Sequence, residues 1–312
     1  MAKHLPLPPE WLAPQIDADT HQAREEFRER RLSTPLTDFN KEYPTANLAA
    51  KVVIGALDGI IAVPVDNALI AKLVSTKERY AALRSLTAPP VSKDDLETLL
   101  DAKLNRQALE QSPDLANALA NLLKDCLDPQ RFPWVAASRT ATAAELKTAQ
   151  LATAVLTAAS AVQARRRGDE RKQLEGRVCE ALTSAGFQLL KAKPKDGVRK
   201  APEFPKAGTF YHAVKFGGHN ADFVIGLRDG RILAIECKAS NSTVNGFKRL
   251  NKEVVVDAGD WRRNFGESVV IAAAALRGVF NASNVLEAQE QKVHILWWHR
   301  ISALEEFLAK AV

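Results

Sequence analysis

Through the first half of the chain, apolar residues recur at helical spacing. They do so at Leu48, Val52, Ala56 and Ile60, and again at Leu96, Leu99, Leu100 and Leu104. That spacing predicts amphipathic helices that each turn one face to a core. Breaks are expected at Pro35, Pro44, Pro64, the Pro89-Pro90 pair, Pro113 and Pro133, because proline cannot donate to the helical ladder. Ser92 with Asp95, and Thr142 with Glu145, have the spacing of helix-start caps. From Thr142 an alanine-rich helix is expected to run into Arg165-Arg166-Arg167-Gly168.

After residue 162 the pattern changes. A helix from about Glu170 to Ala185 is expected to stop at Gly186. Phe187–Ala192 reads as a strand, followed by a loop rich in Lys, Pro and Gly at residues 193–208. Phe223–Leu227, the turn Arg228-Asp229-Gly230 and Arg231–Ala239 read as a β-hairpin. No element is assigned to residues 209–222. A helix over Thr243–Asn264 carries Val244, Phe247, Leu250, Val254, Ala258 and Trp261 as its apolar stripe. Ser268–Leu276 and Val293–Trp298 read as buried strands, each followed by a short helix. The expected fold is α/β (α+β): an all-helical domain over residues 1–162, then residues 163–312 as a mixed central sheet flanked by helices.

Composition supports two domains and adds a charge asymmetry. The chain has 312 residues, 46% hydrophobic and 26% charged, enough apolar content for more than one core. Residues 1–162 hold 18 Lys and Arg against 20 Asp and Glu, about −2, which leaves about +8 of the total +6 to residues 163–312. Thirteen of the 15 glycines also lie after residue 162, as a strand-and-turn architecture would require. A basic half suggests a polyanionic partner. No run approaches the ~20 apolar residues of a membrane span, and the opening Met-Ala-Lys-His-Leu-Pro has no signal-peptide core. Cys126, Cys179 and Cys237 have no paired spacing, which argues for a reducing, cytoplasmic setting. GxxxxGK[ST], GxGxxG and CxxC patterns are missing, so a nucleotide-driven motor is not expected.

The informative segment runs from Asp222 to Lys238. Glu236 and Lys238 stand two apart in an otherwise apolar strand, so both project from one face. A three-residue loop at 228–230 pairs Leu227 with Arg231 and sets Asp222 opposite Glu236. A two-residue loop would turn Asp222 to the other face. Gly230 suits the left-handed third position of the longer loop. Two carboxylates and a lysine at a strand end can bind a hard cation, most suitably Mg²⁺, and act on a phosphodiester. Lys238 would orient or deprotonate water, or stabilise phosphate charge. A plain surface salt bridge is the alternative, but it would leave Ile232 and Ala234, on the same face, in water. Glu175 lies at the edge of the stripe formed by Leu174, Val178, Ala181, Leu182 and Ala185. It needs a partner there, unless it simply extends to solvent.

These residues resemble a known superfamily. Asp222…Glu236-x-Lys238, on a hairpin preceded by a Glu-bearing helix and followed by a crossover helix, is similar to the PD-(D/E)xK nucleases, with Ala221 standing where the motif names proline. Lys215-Phe-Gly-Gly-His-Asn-Ala-Asp222 and the segment from Glu236 to Asn251 resemble the XamI-type restriction endonucleases. The resemblance implies Mg²⁺-dependent, sequence-specific hydrolysis of double-stranded DNA to 5′-phosphate ends in a prokaryotic cytoplasm. It also implies a homodimer and a cognate DNA methyltransferase. Carried onto this chain, Asp222 and Glu236 are metal ligands, Lys238 is catalytic, and Glu175 is a supporting acid.

Ser240, Asn241, Ser242 and Asn245 precede or open the next helix, and Lys248, Arg249 and Lys252 follow on it. Short polar residues at a helix start with basic residues one turn later suit phosphate oxygens. The alternative is a capped helix with an ordinary basic face. Residues 245, 248, 249 and 252 are expected on one face. His219 and Asn220 could touch DNA or water, or cap a loop. Two other functions compete with restriction: a related nuclease of repair or phage defence that reads structure or ends, and a DNA-binding module that has lost catalysis. The intact Asp222, Glu236 and Lys238 set argues against the last. The helical domain is expected to recognise DNA, to dimerise, or both.

Overall fold

The computed structural model describes residues 5–311; the opening Met1–His4, part of the segment read above for a signal peptide, lies outside them. The chain divides into two compact units, one from Thr34 to Arg165 and one joining the residues up to Ser33 with Arg166 onward. The sequence reading set residues 1–162 apart as one helical domain; here the first helix, α1 (Ala13–Ser33), is grouped with the C-terminal unit. Trp11 explains this: its indole Nε1 donates to the Ile295 carbonyl at 2.8 Å, and its backbone exchanges hydrogen bonds with the Gln289 amide. Asp19, fully buried on α1, accepts from His299 and Arg300. Cutting those bonds would strand a buried carboxylate.

The Thr34–Arg165 unit is helical throughout, with α2 (Pro35–Gly55), α3 (Leu57–Ile61), α4 (Asn67–Val74), α5 (Lys77–Arg84), α6 (Lys93–Leu99), α7 (Arg106–Gln111), α8 (Pro113–Asp125), α9 (Pro133–Ala136) and the start of α10 (Ala143–Ser184). Both expected caps form: Ser92 and Asp95 make a reciprocal box, and so do Thr142 and Glu145. Pro35, Pro113 and Pro133 open helices, where the missing N–H costs nothing. Pro44 does not break its helix; α2 runs through it. The expected stripe on α2 is also displaced. Leu48 and Val52 face outward, and the core takes Ala46, Ala49, Ala50, Val53 and Ile54 instead. Small residues let α2 lie close to its neighbours, a choice the apolar pattern alone does not reveal.

Helix α10 is one uninterrupted element of 42 residues where two were expected. Gly168 sits inside it with open space around its Cα. A single helical glycine costs only about 1 kcal/mol relative to alanine, too little to end a helix that long. Past Ser184, residues Gln188–Leu189 form β1, Thr209–Phe216 β2, His219–Gly226 β3, Ile232–Ser240 β4, Val270–Gly278 β5 and Val293–Trp297 β6. They make one mixed sheet in the order 1-2-3-4-5-6, with β2–β3 and β3–β4 antiparallel and the other pairs parallel. Strand β2, absent from the sequence reading, fills much of the unassigned stretch. One face of the sheet packs on α1, α12 (Val255–Phe265) and α13 (Ala282–Glu290) through Ile16, Ala258, Trp261 and Val285. The other packs on α10 and α14 (Ser302–Lys310) through Leu174, Val178, Leu304 and Phe307. No helix among the described residues is long and apolar enough to cross a membrane.

The β3–β4 hairpin has the expected three-residue loop. Leu227 N donates to the Arg231 carbonyl, and Gly226 pairs with Ile232 and Phe223 with Ile235. Gly230 stands at φ +89° with open space around it, while Gly278, at φ +92°, would place a Cβ 2.2 Å from the Ser240 carbonyl oxygen. Backbone strain alone costs an L-residue about 1–2 kcal/mol in the left-handed region. Gly230→Ala should therefore lower the melting temperature by about 2–8 °C at 2–4 °C per kcal/mol. Gly278→Ala adds a backbone clash and should cost clearly more. Equal melting temperatures for the two variants would refute this ranking.

Candidate active site

Strand β4 lies in the middle of the sheet, so its early residues are covered on both faces. Ile232 and Ala234 are fully packed, and two residues further on Glu236 is 5% exposed. There the sheet opens into a cavity of about 1090 Å³ lined by Asp222, Glu236 and Lys238 among others. The three residues singled out from the sequence are thus brought to one wall. Lys238 Nζ stands 3.0 Å from Glu236 Oε2 and 3.3 Å from Glu253 Oε2. Asp222, 6% exposed, accepts the Cys237 N–H at Oδ2 (2.7 Å) and the Arg171 guanidinium at Oδ1 (2.9 Å).

Asp222 reaches this position through an irregular step. The β2–β3 ladder pairs His212 with Phe223 and Val214 with Ala221, but skips Ala213 opposite Asp222. Ala213 takes a left-handed φ of +53° and faces solvent. Such a kink in a strand re-aims a side chain without breaking the sheet.

Burial governs the electrostatics. It pushes the Glu236 carboxyl up from 4.5 to about 7; the Asp222 charge adds to this, and Lys238 works against it. For Lys238 burial pulls downward, but Glu236 and Glu253 outweigh it and hold the ammonium above its ordinary value. The Cys237 thiol is pushed up, chiefly by burial, and is inert as a nucleophile. Arg171 is held above its ordinary value, first by its bond to Glu175 and then by Asp222.

Glu175 does not line the cavity. Its Oε1 accepts from Arg171 at 2.5 Å, and its Oε2 lies 3.1 Å from His212 Nε2. The partner it required is therefore Arg171, four residues earlier on α10, and it reaches Asp222 only through that guanidinium. Among the described residues no group of three or more His, Cys, Asp and Glu side chains is arranged to hold a metal ion.

The expected DNA-contacting residues separate into two groups. His219, Asn220, Asn241, Asn245, Arg249 and Lys252 line the cavity. His219 is clamped by Asp257 at 2.8 Å and Asp260 at 2.9 Å. Arg249 donates to the Ala239 carbonyl, and Lys252 stands 5.3 Å over the Phe247 ring. Ser240, Ser242 and Lys248 do not line it. Ser240 is buried and donates to the Ser242 carbonyl; Ser242 caps α11 (Thr243–Phe247) by accepting the Asn245 N–H. Lys248 leaves the face because the expected continuous helix contains a π-helical segment, Lys248–Val254, between α11 and α12. In a regular α-helix each four-residue step overshoots a turn by about 40°. The wider π turn takes that back and keeps Asn245, Arg249, Glu253 and Asp257 in one row on the cavity. The same widening leaves Val244 76% exposed, off the predicted stripe.

Sequence reasoning missed Arg171, Glu253 and Asp257. Arg171 was legible as an i, i+4 partner of Glu175. Glu253 and Asp257 were not, since their facing depends on the π segment.

The XamI restriction endonuclease family matches residues 64–297. Over 273 residues the chain is 30% identical to the type II restriction enzyme XamI of Xanthomonas campestris pv. amaranthicola, covering 86% of this chain and 97% of that protein. No solved structure matches it. With the family spanning both the helical unit and the strands that carry the Asp222, Glu236 and Lys238 wall, the chain belongs to the XamI restriction endonucleases.

Proposed function

We propose that this type II restriction endonuclease hydrolyses phosphodiester bonds of double-stranded DNA at Asp222, Glu236 and Lys238, with Mg²⁺ held by the two carboxylates. The observation that carries the reading is the burial of two acids beside one ammonium where the sheet opens into the cavity. The donor set fits a hard cation. Glu236 is destabilised as an anion partly by Asp222, and a cation shared by both would relieve that repulsion. Mg²⁺ commonly takes one or two carboxylates and fills its other positions with water and phosphate oxygens. When bound, such an ion acidifies a water and offsets charge developing at phosphorus.

The chain's own residues have distinct tasks. Lys238, paired with Glu236 and Glu253, orients or deprotonates the attacking water or neutralises phosphate charge. Arg171 holds the Asp222 carboxylate and Glu175 holds Arg171, so both are positioning residues. Water adds to phosphorus as the bond to the 3′ oxygen breaks, leaving a 5′ phosphate and a 3′ hydroxyl. Asn220, Asn241, Asn245, Arg249 and Lys252 offer donors to phosphate or base edges along the rim; His219 is held in reserve by its two acids. The Thr34–Arg165 unit carries 14 bases and 14 acids, so its contribution is recognition by shape or self-association, and not general attraction to DNA. One such centre per chain and two antiparallel strands in the duplex call for a homodimer. A host carrying this enzyme needs a methyltransferase to protect its own sites.

Digestion of a defined plasmid with Mg²⁺, followed by end sequencing, tests the reading. Discrete bands are expected; a smear would indicate a nuclease without strict sequence specificity, and no cutting an inactive binding module. Asp222→Ala and Glu236→Ala should abolish cleavage while DNA affinity holds or rises, because each removes a charge that repels phosphate. Near-normal cutting by either variant would show the site to be misassigned.

Lys238→Met keeps the apolar stem and should slow single-turnover cleavage by at least ~10²-fold, the usual size of one positioned electrostatic contribution. A merely structural salt bridge would instead lower the melting temperature and leave the rate unchanged.

Glu236 also marks the pH dependence of stability. Its carboxyl is raised from 4.5 to about 7, so between those values the unfolded chain has lost a proton that the folded chain keeps. Stability from this group is complete below about pH 4.5 and falls as pH rises to about 7. Denaturant unfolding of wild type and Glu236→Gln across pH 4–8 should show the fall in wild type alone. Parallel profiles would contradict the shift.

A further inference from the structure

The cavity is nearly balanced in charge: six lysines and arginines line it against five carboxylates. A balanced cavity gives little long-range attraction to a polyanion. The surplus of this half of the chain lies elsewhere. In residues 191–200, Lys191, Lys193, Lys195, Arg199 and Lys200 face only Asp196, a net +4 of the roughly +8 carried by residues 163–312. All five basic side chains are exposed.

This loop is built, not slack. Val198 is fully buried in the core and bridges Phe216 on β2; its N–H donates to the Lys215 carbonyl at 2.7 Å, and Gly217 N–H donates back to Val198. Gly197 stands at φ +80° against Lys215, where a Cβ would lie 2.6 Å from the Lys215 carbonyl oxygen. The Arg199 and Lys200 N–H groups donate to Glu203, and Lys193 Nζ donates to the Ala213 carbonyl. Lys215 itself lines the cavity, and its cross-strand partner is Asn220. The basic loop is therefore stitched to the strand whose Lys215 lines the cavity.

We propose that residues 191–200 form a second DNA-binding site, a phosphate-backbone clamp on the duplex flanking the scissile bond. The inference rests on the duplex-cleaving reading above. The loop supplies affinity that depends on salt and not on sequence, while base selection belongs to other surfaces. Its fixed backbone reduces the ordering cost on binding.

The test compares wild type with the triple variant Lys191→Gln, Lys195→Gln, Arg199→Gln. Fluorescence anisotropy is read on a labelled 40-base-pair duplex of mixed sequence, without divalent cation, across a salt series. Each lost phosphate contact removes about 0.9 from the slope of log affinity against log salt. The triple variant should therefore lose roughly 2–3 from the slope and bind about tenfold or more weakly near 0.1 M salt. Single variants should each show about a third of the slope change, and Lys191→Arg with Lys195→Arg should retain wild-type slope and affinity. Unchanged slope and affinity in the triple variant would overturn the proposal, as would an altered plasmid band pattern, since the loop would then read bases. If wild type fails to cut plasmid, the cleavage reading fails, while the salt slope still decides whether the loop grips DNA.

Discussion

The turn Arg228-Asp229-Gly230 fixes the register of β3 on β4, and the site depends on that register. Asp229 accepts the Arg231 N–H and grips the Arg231 guanidinium, and Gly230 closes the loop in the left-handed region. With three residues in the loop, Asp222 comes level with the Glu236 end of β4, and its Oδ2 meets the Cys237 N–H. A one-residue change would send the acid toward the opposite core. Local turn chemistry thus sets the distance between two carboxylates that are far from the turn.

The sheet then decides how those charges behave. Glu236 and Lys238 pair with β5, beyond the last β3 pair at Ile235. Their side chains are largely buried at the cavity wall. That raises Glu236 and couples it to Lys238, which would be negligible on an open strand. Perturbed groups beside one another in a cleft are the arrangement that acid–base and metal-assisted hydrolysis require. Arg171 and Glu175 extend the network onto α10, so that a helix on one face of the sheet holds an acid carried by a strand.

Much of this was legible in the residues themselves. The period-2 run ending in Glu236-Cys237-Lys238, the glycine at the turn and the Ser-x-x-Asp and Thr-x-x-Glu caps are local signals, and each formed as read. Charge partition along the chain marked the basic half without any structure. The readings that failed share one cause: they depend on what a segment packs against. Leu48 and Val52 have helical spacing, yet neighbouring helices chose the alanine face of α2. Thr209–Phe216 is strand-forming, but its alternation is broken at Ala213, which takes a left-handed φ where the β2–β3 ladder skips it.

By itself, then, the sequence determined the β3–β4 hairpin with its register and brought Asp222, Glu236 and Lys238 to one wall, because turn geometry and strand alternation act over a few bonds. The placement of α1 on the sheet unit, the fusion of two helices into α10 and the π segment that seats Arg249 and Glu253 on the cavity while turning Lys248 away were decided by tertiary structure. The glycine inside α10 costs only about 1 kcal/mol locally. Packing contributes several times that, so local preference yields wherever the two disagree.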